Sequence, residues 1–97
     1  MIDHVIAFKA PGLDPEAEEA LFAKLGELQK VPGVREFSLG RNFGERSRGF
    51  DICMRITFET RDDLDAYEAH PIHKEVVTYN RKVTDEHICF DFESKQD

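Results

Sequence analysis

Between positions 50 and 58, large apolar side chains fall on every second residue: Phe50, Ile52, Met54, Ile56 and Phe58. Asp51, Cys53, Arg55 and Thr57 occupy the positions between them. Successive side chains of a strand point to opposite faces, so this spacing predicts a strand over 50–58. One face is wholly apolar and has to be covered. The other is small and mixed, less polar than a face made for water. Whatever fold the chain adopts must therefore provide a cover for the first face and account for the second.

The remaining segments supply the cover. Residues 2–9 alternate as well, with Ile2, His4, Ile6 and Phe8 on one face and Asp3, Val5, Ala7 and Lys9 on the other. Ala10, Pro11 and Gly12 end that strand. Asp14 is a good helix N-cap, Pro15 suits the first helical position, and Glu16, Glu18 and Glu19 complement the helix dipole. Ala17, Leu21, Leu25 and Leu28 recur at helical spacing, and Pro32-Gly33 stops the run. A second strand is expected over 34–43, followed by a turn over 44–49 with Arg46 and Arg48. Thr60-Arg61-Asp62-Asp63 resembles a capping box with Asp in place of Glu. It opens a helix carrying Leu64, Ala66 and Tyr67, which Pro71 breaks. A second helical piece over 72–79 turns Val76 and Val77 inward. The last strand, 87–92, alternates Ile88, Phe90 and Phe92, expected to face the helices, with His87, Cys89 and Asp91.

The order is β-α-β-β-α-β. Right-handed crossovers make the economical solution an α+β, ferredoxin-like fold: one antiparallel four-stranded sheet, order 4-1-3-2, with the helices on one face. The other face, with Val5, Ala7, Cys53, Thr57 and Cys89, is too apolar to remain solvated. Pairing with a second copy would bury it, so a homodimer through the sheet faces, a dimeric α/β barrel, is expected. Cys53 and Cys89 would lie two strand spacings apart, too far for a disulfide, so both are expected to be free and buried. Arg55, on the dimer side, is expected to pair with Asp51 or Asp91.

Composition narrows the function. The 97 residues fit one domain spanning 1–97, and 40% hydrophobic content with eight Phe excludes disorder. A net charge of -7 argues against nucleic acid and against anionic membrane surfaces as partners. No apolar run approaches the roughly 20 residues that span a bilayer. The start of the chain lacks the features of a secretory signal, so a reducing cytoplasm is the expected compartment. The two cysteines form no metal or redox motif.

Tyr67-Glu68-Ala69-His70-Pro71-Ile72-His73 is the segment richest in chemistry. An imidazole exchanges a proton near neutrality, and a phenol donates to an oxygen on which charge develops. The proline break frees Tyr67 and His73 from regular helical spacing, so the two can converge on one cavity. His4, among Ile2, Ile6 and Phe8, must find a partner or line that cavity. His70 and His73 are three apart and His4 could join them, but no Asp, Glu or Cys ligand set accompanies them. The expectation is therefore no metal and no cofactor. The competing reading is structural, with Tyr67 and His73 packed and satisfied and His70 a helix cap.

These segments together resemble the stress-responsive dimeric α/β-barrel (Dabb) family nearly end to end. The carriers are the stretches 2–9, 31–34, 49–52 and 56–59, the Tyr-x-x-His-Pro-x-His element from Tyr67 to His73, and Phe90-Asp91-Phe92-Glu93. The resemblance implies the ferredoxin-like dimer and no single activity. One branch holds plant polyketide cyclases similar to olivetolic acid cyclase, which perform an aldol cyclisation with a Tyr/His pair. That likeness implies Tyr67 and His73 as catalytic residues, with His4, His70 and the position of Ile52 touching substrate. A further pocket histidine of that branch is replaced here by Ile52, which argues against a polyketide more than against the acid–base pair. Another branch, similar to boiling-stable plant proteins, builds stable oligomers. The two expectations are cofactor-free aldol, cyclase or lyase chemistry on a small carbonyl compound, and a non-enzymatic dimer that binds a small ligand or serves structurally. Barrels of similar architecture that act as monooxygenases form a third, with nothing specific to haem here.

Overall fold

Local chemistry sets the helix starts. The Asp14 carboxylate accepts from the Ala17 backbone N–H at 2.8 Å, and Pro15 takes the first helical position. The Thr60 hydroxyl accepts from the Asp63 backbone N–H at 3.1 Å and opens the next helix. In the computed structural model, which describes residues 1–95, these caps separate strand β1 (Ile2–Phe8), helix α1 (Pro15–Gly26), strands β2 (Glu36–Arg41) and β3 (Ile52–Phe58), helices α2 (Arg61–Ala69) and α3 (Pro71–Val83), and strand β4 (His87–Glu93). A short 3-10 turn, Glu27–Lys30, follows α1 and carries Leu28 into the core. Gly33 then reverses the chain at φ +95°, where a side chain would be strained and would press on Asp63.

The strands form one antiparallel sheet in the order β2-β3-β1-β4, the same as 4-1-3-2. The expected ferredoxin-like α+β fold is present. The β1 and β3 residues Ile2, Phe8, Ile52, Met54, Ile56 and Phe58 pack against Leu21, Leu25, Leu28, Leu64, Tyr67 and Val76. Leu21, Ile56 and Phe58 are completely buried. Burying a side chain of this size contributes about 1.5–3 kcal/mol, and these contacts hold the helices on the sheet. Among the described residues, no helix is long and apolar enough to cross a membrane.

The last strand departs from expectation. Its register sets Ile88 opposite Ala7, Phe90 opposite Val5 and Phe92 opposite Asp3. Facing residues of paired strands share a side of the sheet, so Ile88, Phe90 and Phe92 lie on the uncovered face. They are 43%, 59% and 50% exposed. His87, Cys89 and Asp91, opposite Phe8, Ile6 and His4, lie on the helix side. Alternation separates two faces without saying which is which. The apolar set is expected to face inward, yet at this edge the uncovered side is the apolar one.

Two further expectations change with it. Cys53, opposite Ala7, and Cys89, opposite Ile6, point to opposite sides of the sheet. Both are free, and both are exposed in the single chain rather than buried. Arg55 pairs with Asp3 at 2.7 Å and approaches Glu36 at 3.9 Å, not Asp51 or Asp91. Asp3 is its diagonal neighbour on the same face, while Asp91 lies on the other. Asp51 accepts instead from the Ala10 backbone N–H at 2.8 Å. The elements also run shorter or longer than expected at their ends: β2 and β3 lose their first residues, and α3 extends to Val83.

Thr60→Ala removes the α2 cap and is expected to lower the unfolding free energy by about 1 kcal/mol, read as a drop in the urea midpoint with unchanged slope.

Candidate functional site

The helix side of β1 and β4 carries an unusually polar ladder rung. His4 is only 4% exposed, and its Nδ1 is in close hydrogen-bond contact with Asp91 Oδ1 on the facing strand. A buried imidazole needs such a partner, and the carboxylate fixes the ring's orientation. Cys89 lies one rung along the same face, with Sγ 3.6 Å from His4 Nδ1.

The helix break brings the other groups over this rung. α2 ends at Ala69, His70 is extended, and Pro71 restarts the chain as α3. Tyr67 thus comes from the last turn of α2 and His73 from the first turn of α3. Their ring centroids are 4.8 Å apart, and the Tyr67 ring also meets His4 edge-on at 5.8 Å and Phe58 at 5.1 Å. Tyr67 is 1% exposed.

A cavity of about 210 Å³ opens between α3 and β4, walled by His4, His73, Asn80, Arg81, His87 and Cys89 among others. A smaller space of about 40 Å³ lies deeper, bounded by Tyr67 together with His4, His73 and Asn80. The outer cavity falls below the roughly 300 Å³ lower bound of drug-sized sites, and so suits a small molecule.

Burial sets the protonation states. It is the main cause that lifts the Tyr67 phenol well above its ordinary 10.0, with help from the Glu68 and Cys89 charges. Tyr67 therefore keeps its proton and remains a donor. Burial also lowers His73 below its ordinary 6.5, opposed by a hydrogen bond to the Glu68 backbone carbonyl and aided by nearby His4. His73 is thus neutral at pH 7, with a ring nitrogen able to accept a proton. The Cys89 thiol is pushed up to about 11, first by burial and then by Asp91 and Glu68.

Of the residues singled out in the sequence, Tyr67, His73 and His4 come together. His70 does not join them: its Nδ1 accepts from the Ile72 backbone N–H at 3.1 Å and caps α3. Ile52 is 1% exposed in the core at the far end of β3, opposite Phe8, and lines neither space. Four residues of the site escaped the sequence reading. Asp91, Cys89 and His87 were hidden by the reversed faces of β4. Asn80 carried a signal: it follows His73 by seven residues and Val77 by three, on one helical face. Its Oδ1 is buried with no hydrogen-bond partner among the described residues.

The fold and this site define a ferredoxin-like α+β protein with a small polar pocket between sheet and helices. The family model of the stress responsive A/B barrel domain matches residues 2–94, and the chain belongs to that family. No curated protein matches it. Among solved structures, it is similar to the Arabidopsis thaliana protein At3g17210, at 23% identity over 99% of this chain and 97% of that one, TM-score 0.89. Hydroxynitrile lyase from Passiflora edulis is 18% identical over 99% and 94%, TM-score 0.89. A dimeric ferredoxin-like protein of unknown function from Thermobifida fusca is 19% identical over 94% and 88%, TM-score 0.81. At these identities the likeness is one of fold.

In an NMR pH titration, the His73 ring protons are expected to shift with a midpoint below 6.5. Because the unfolded chain takes up this proton first on acidification, His73 makes the fold less stable as pH falls from 6.5 towards that midpoint.

Proposed function

We propose that the protein is a homodimeric, cofactor-free acid–base catalyst acting on a small carbonyl compound, of the aldol, cyclase or lyase type. The observation that carries this reading is the site itself, where His4 and His73 line a cavity of about 210 Å³ and the protonated Tyr67 phenol meets both in the smaller space beneath it. His73 removes a proton from the carbon next to the carbonyl. The electron pair moves into the enolate, and the Tyr67 hydroxyl donates to the oxygen on which charge develops. His4, held by Asp91, orients the substrate or returns the proton. The hydroxynitrile lyase of the same fold supports the reaction class, since carbon–carbon cleavage beside a hydroxyl uses the same proton movements in reverse. The cavity's size favours a substrate of few atoms over a polyketide.

The dimer forms through the uncovered sheet face, where Ile88, Phe90 and Phe92 stand beside Val5 and Ala7. A patch of this kind on a small domain is an interaction surface, and the dimeric ferredoxin-like neighbours support a dimer. A cytoplasmic location fits the two free thiols. The alternative, a non-enzymatic dimer that binds a small ligand or serves structurally, draws support from the near-complete burial of Tyr67, which also packs the core.

His73→Gln is expected to reduce turnover of an aldol or cyanohydrin substrate by about 10²–10⁴-fold, the range for losing a general base. Tyr67→Phe is expected to cost about 10²–10³-fold, as for an oxyanion donor. In the parent protein, kcat/KM should rise with pH through a midpoint below 6.5 and hold its plateau beyond pH 10, following the directions of the His73 and Tyr67 shifts. Binding of such compounds without turnover, unchanged in both variants, would support the alternative. Phe90→Asp is expected to convert the dimer to monomer, measured by light scattering on a sizing column.

A further inference from the structure

Three different donor types meet at one point on the helix side of the sheet. His4 Nδ1, Cys89 Sγ and one Asp91 carboxylate oxygen all lie within 4.8 Å of one another. We propose that these three side chains form a binding site for one divalent cation of borderline softness, Zn²⁺ foremost, with the fourth coordination position open to the cavity in front of His73.

Geometry supports this first. Zinc binds imidazole nitrogen at about 2.0–2.1 Å and thiolate sulfur at about 2.3 Å, which in a tetrahedron sets nitrogen and sulfur about 3.6 Å apart. His4 Nδ1 and Cys89 Sγ are 3.6 Å apart. The tetrahedral sulfur–oxygen separation is about 3.5 Å. Cys89 Sγ and Asp91 Oδ1 stand at 4.0 Å, within a small rotation of the carboxylate. The His4–Asp91 hydrogen bond is the one contact that must open, because the cation takes the place of the shared proton.

The backbone needs no change. His4 and Asp91 are facing partners in the β1–β4 ladder, and Cys89, facing Ile6, is the next residue along the same side. Strand pairing on both sides of β1 fixes where all three side chains start. Side-chain rotation alone closes the site.

Donor chemistry agrees. One imidazole, one thiolate and one carboxylate, with a position left over, match the three-ligand open arrangement of zinc. The thiolate selects against Mg²⁺ and Ca²⁺, which prefer all-oxygen shells. On binding, Cys89 gives its proton to solvent and the thiolate and carboxylate together balance the cation's charge. The site also explains why an exposed cysteine and a carboxylate stand beside a buried histidine, an arrangement the acid–base reading uses only in part.

The inference goes beyond the acid–base reading and shares only His4 and Asp91 with it. The test is titration of the full-length, chelator-treated protein with Co²⁺ and, separately, Zn²⁺. A thiolate-to-cobalt charge-transfer band saturating at one equivalent is expected, with Zn²⁺ displacing the cobalt. Cys89→Ser, a near-isosteric change at an exposed position, should abolish the band. It should also weaken Zn²⁺ binding by more than about 10-fold, the low end of what losing even an outer ligand partner costs. Asp91→Asn should weaken binding without removing the band. His73→Gln, which removes the proposed base, should leave the band unchanged, so the two readings fail separately. No saturable binding at one equivalent, or Zn²⁺ affinity that survives Cys89→Ser, would overturn the site.

Discussion

The register between β1 and β4 is the constraint on which the site depends. On its helix-covered face β1 is paired to an apolar neighbour on one side and a polar one on the other. On its β3 side, His4 and Ile6 face Ile56 and Met54, which belong to the core. On its β4 side, the same two residues face Asp91 and Cys89. The core therefore ends along β1, and the pocket begins there. A buried histidine on that boundary is stable because the edge strand offers a carboxylate directly across the ladder. Without that partner, an imidazole at 4% exposure would bear its desolvation cost unrelieved.

The second determinant is the interruption of the helical run at Pro71. A continuous helix would hold Tyr67 and His73 on different sides, six residues apart. With His70 extended and capping α3, the two rings meet in a tilted contact over the end of the core. The same burial that packs Tyr67 on Phe58 keeps its proton in place, and the partial burial of His73 keeps that ring neutral. Packing and protonation state are two results of one arrangement, so a change made to improve one will move the other.

Much of this was legible in the sequence. The caps at Asp14 and Thr60, the break at Pro71 and the alternation of β1 and β3 are local features, and they appear where local chemistry places them. The convergence of Tyr67, His73 and His4 also followed from the break and from a polar residue on an apolar face. The faces of β4 did not. Its alternation is as regular as that of β3, but the direction of an edge strand depends on what covers each side, which is a tertiary property. An inward aromatic face would place Cys89 and Asp91 on the opposite side of the sheet, away from His4, whose partner is Asp91. His70 shows the opposite case: its spacing is that of a site residue, while its geometry is that of a cap.

The edge strand has a consequence for how this chain can change over time. Six of the seven positions of β4 are committed, with His87, Cys89 and Asp91 turned to the helix side and Ile88, Phe90 and Phe92 turned away. A slip of one residue would place three bulky apolar groups in the pocket and a carboxylate on the bare face. Single substitutions can adjust either surface, but an insertion or deletion within the strand would exchange the two at once. Variation in length is thus confined to the loops on either side, and the pocket wall and the bare apolar face are inherited as a unit.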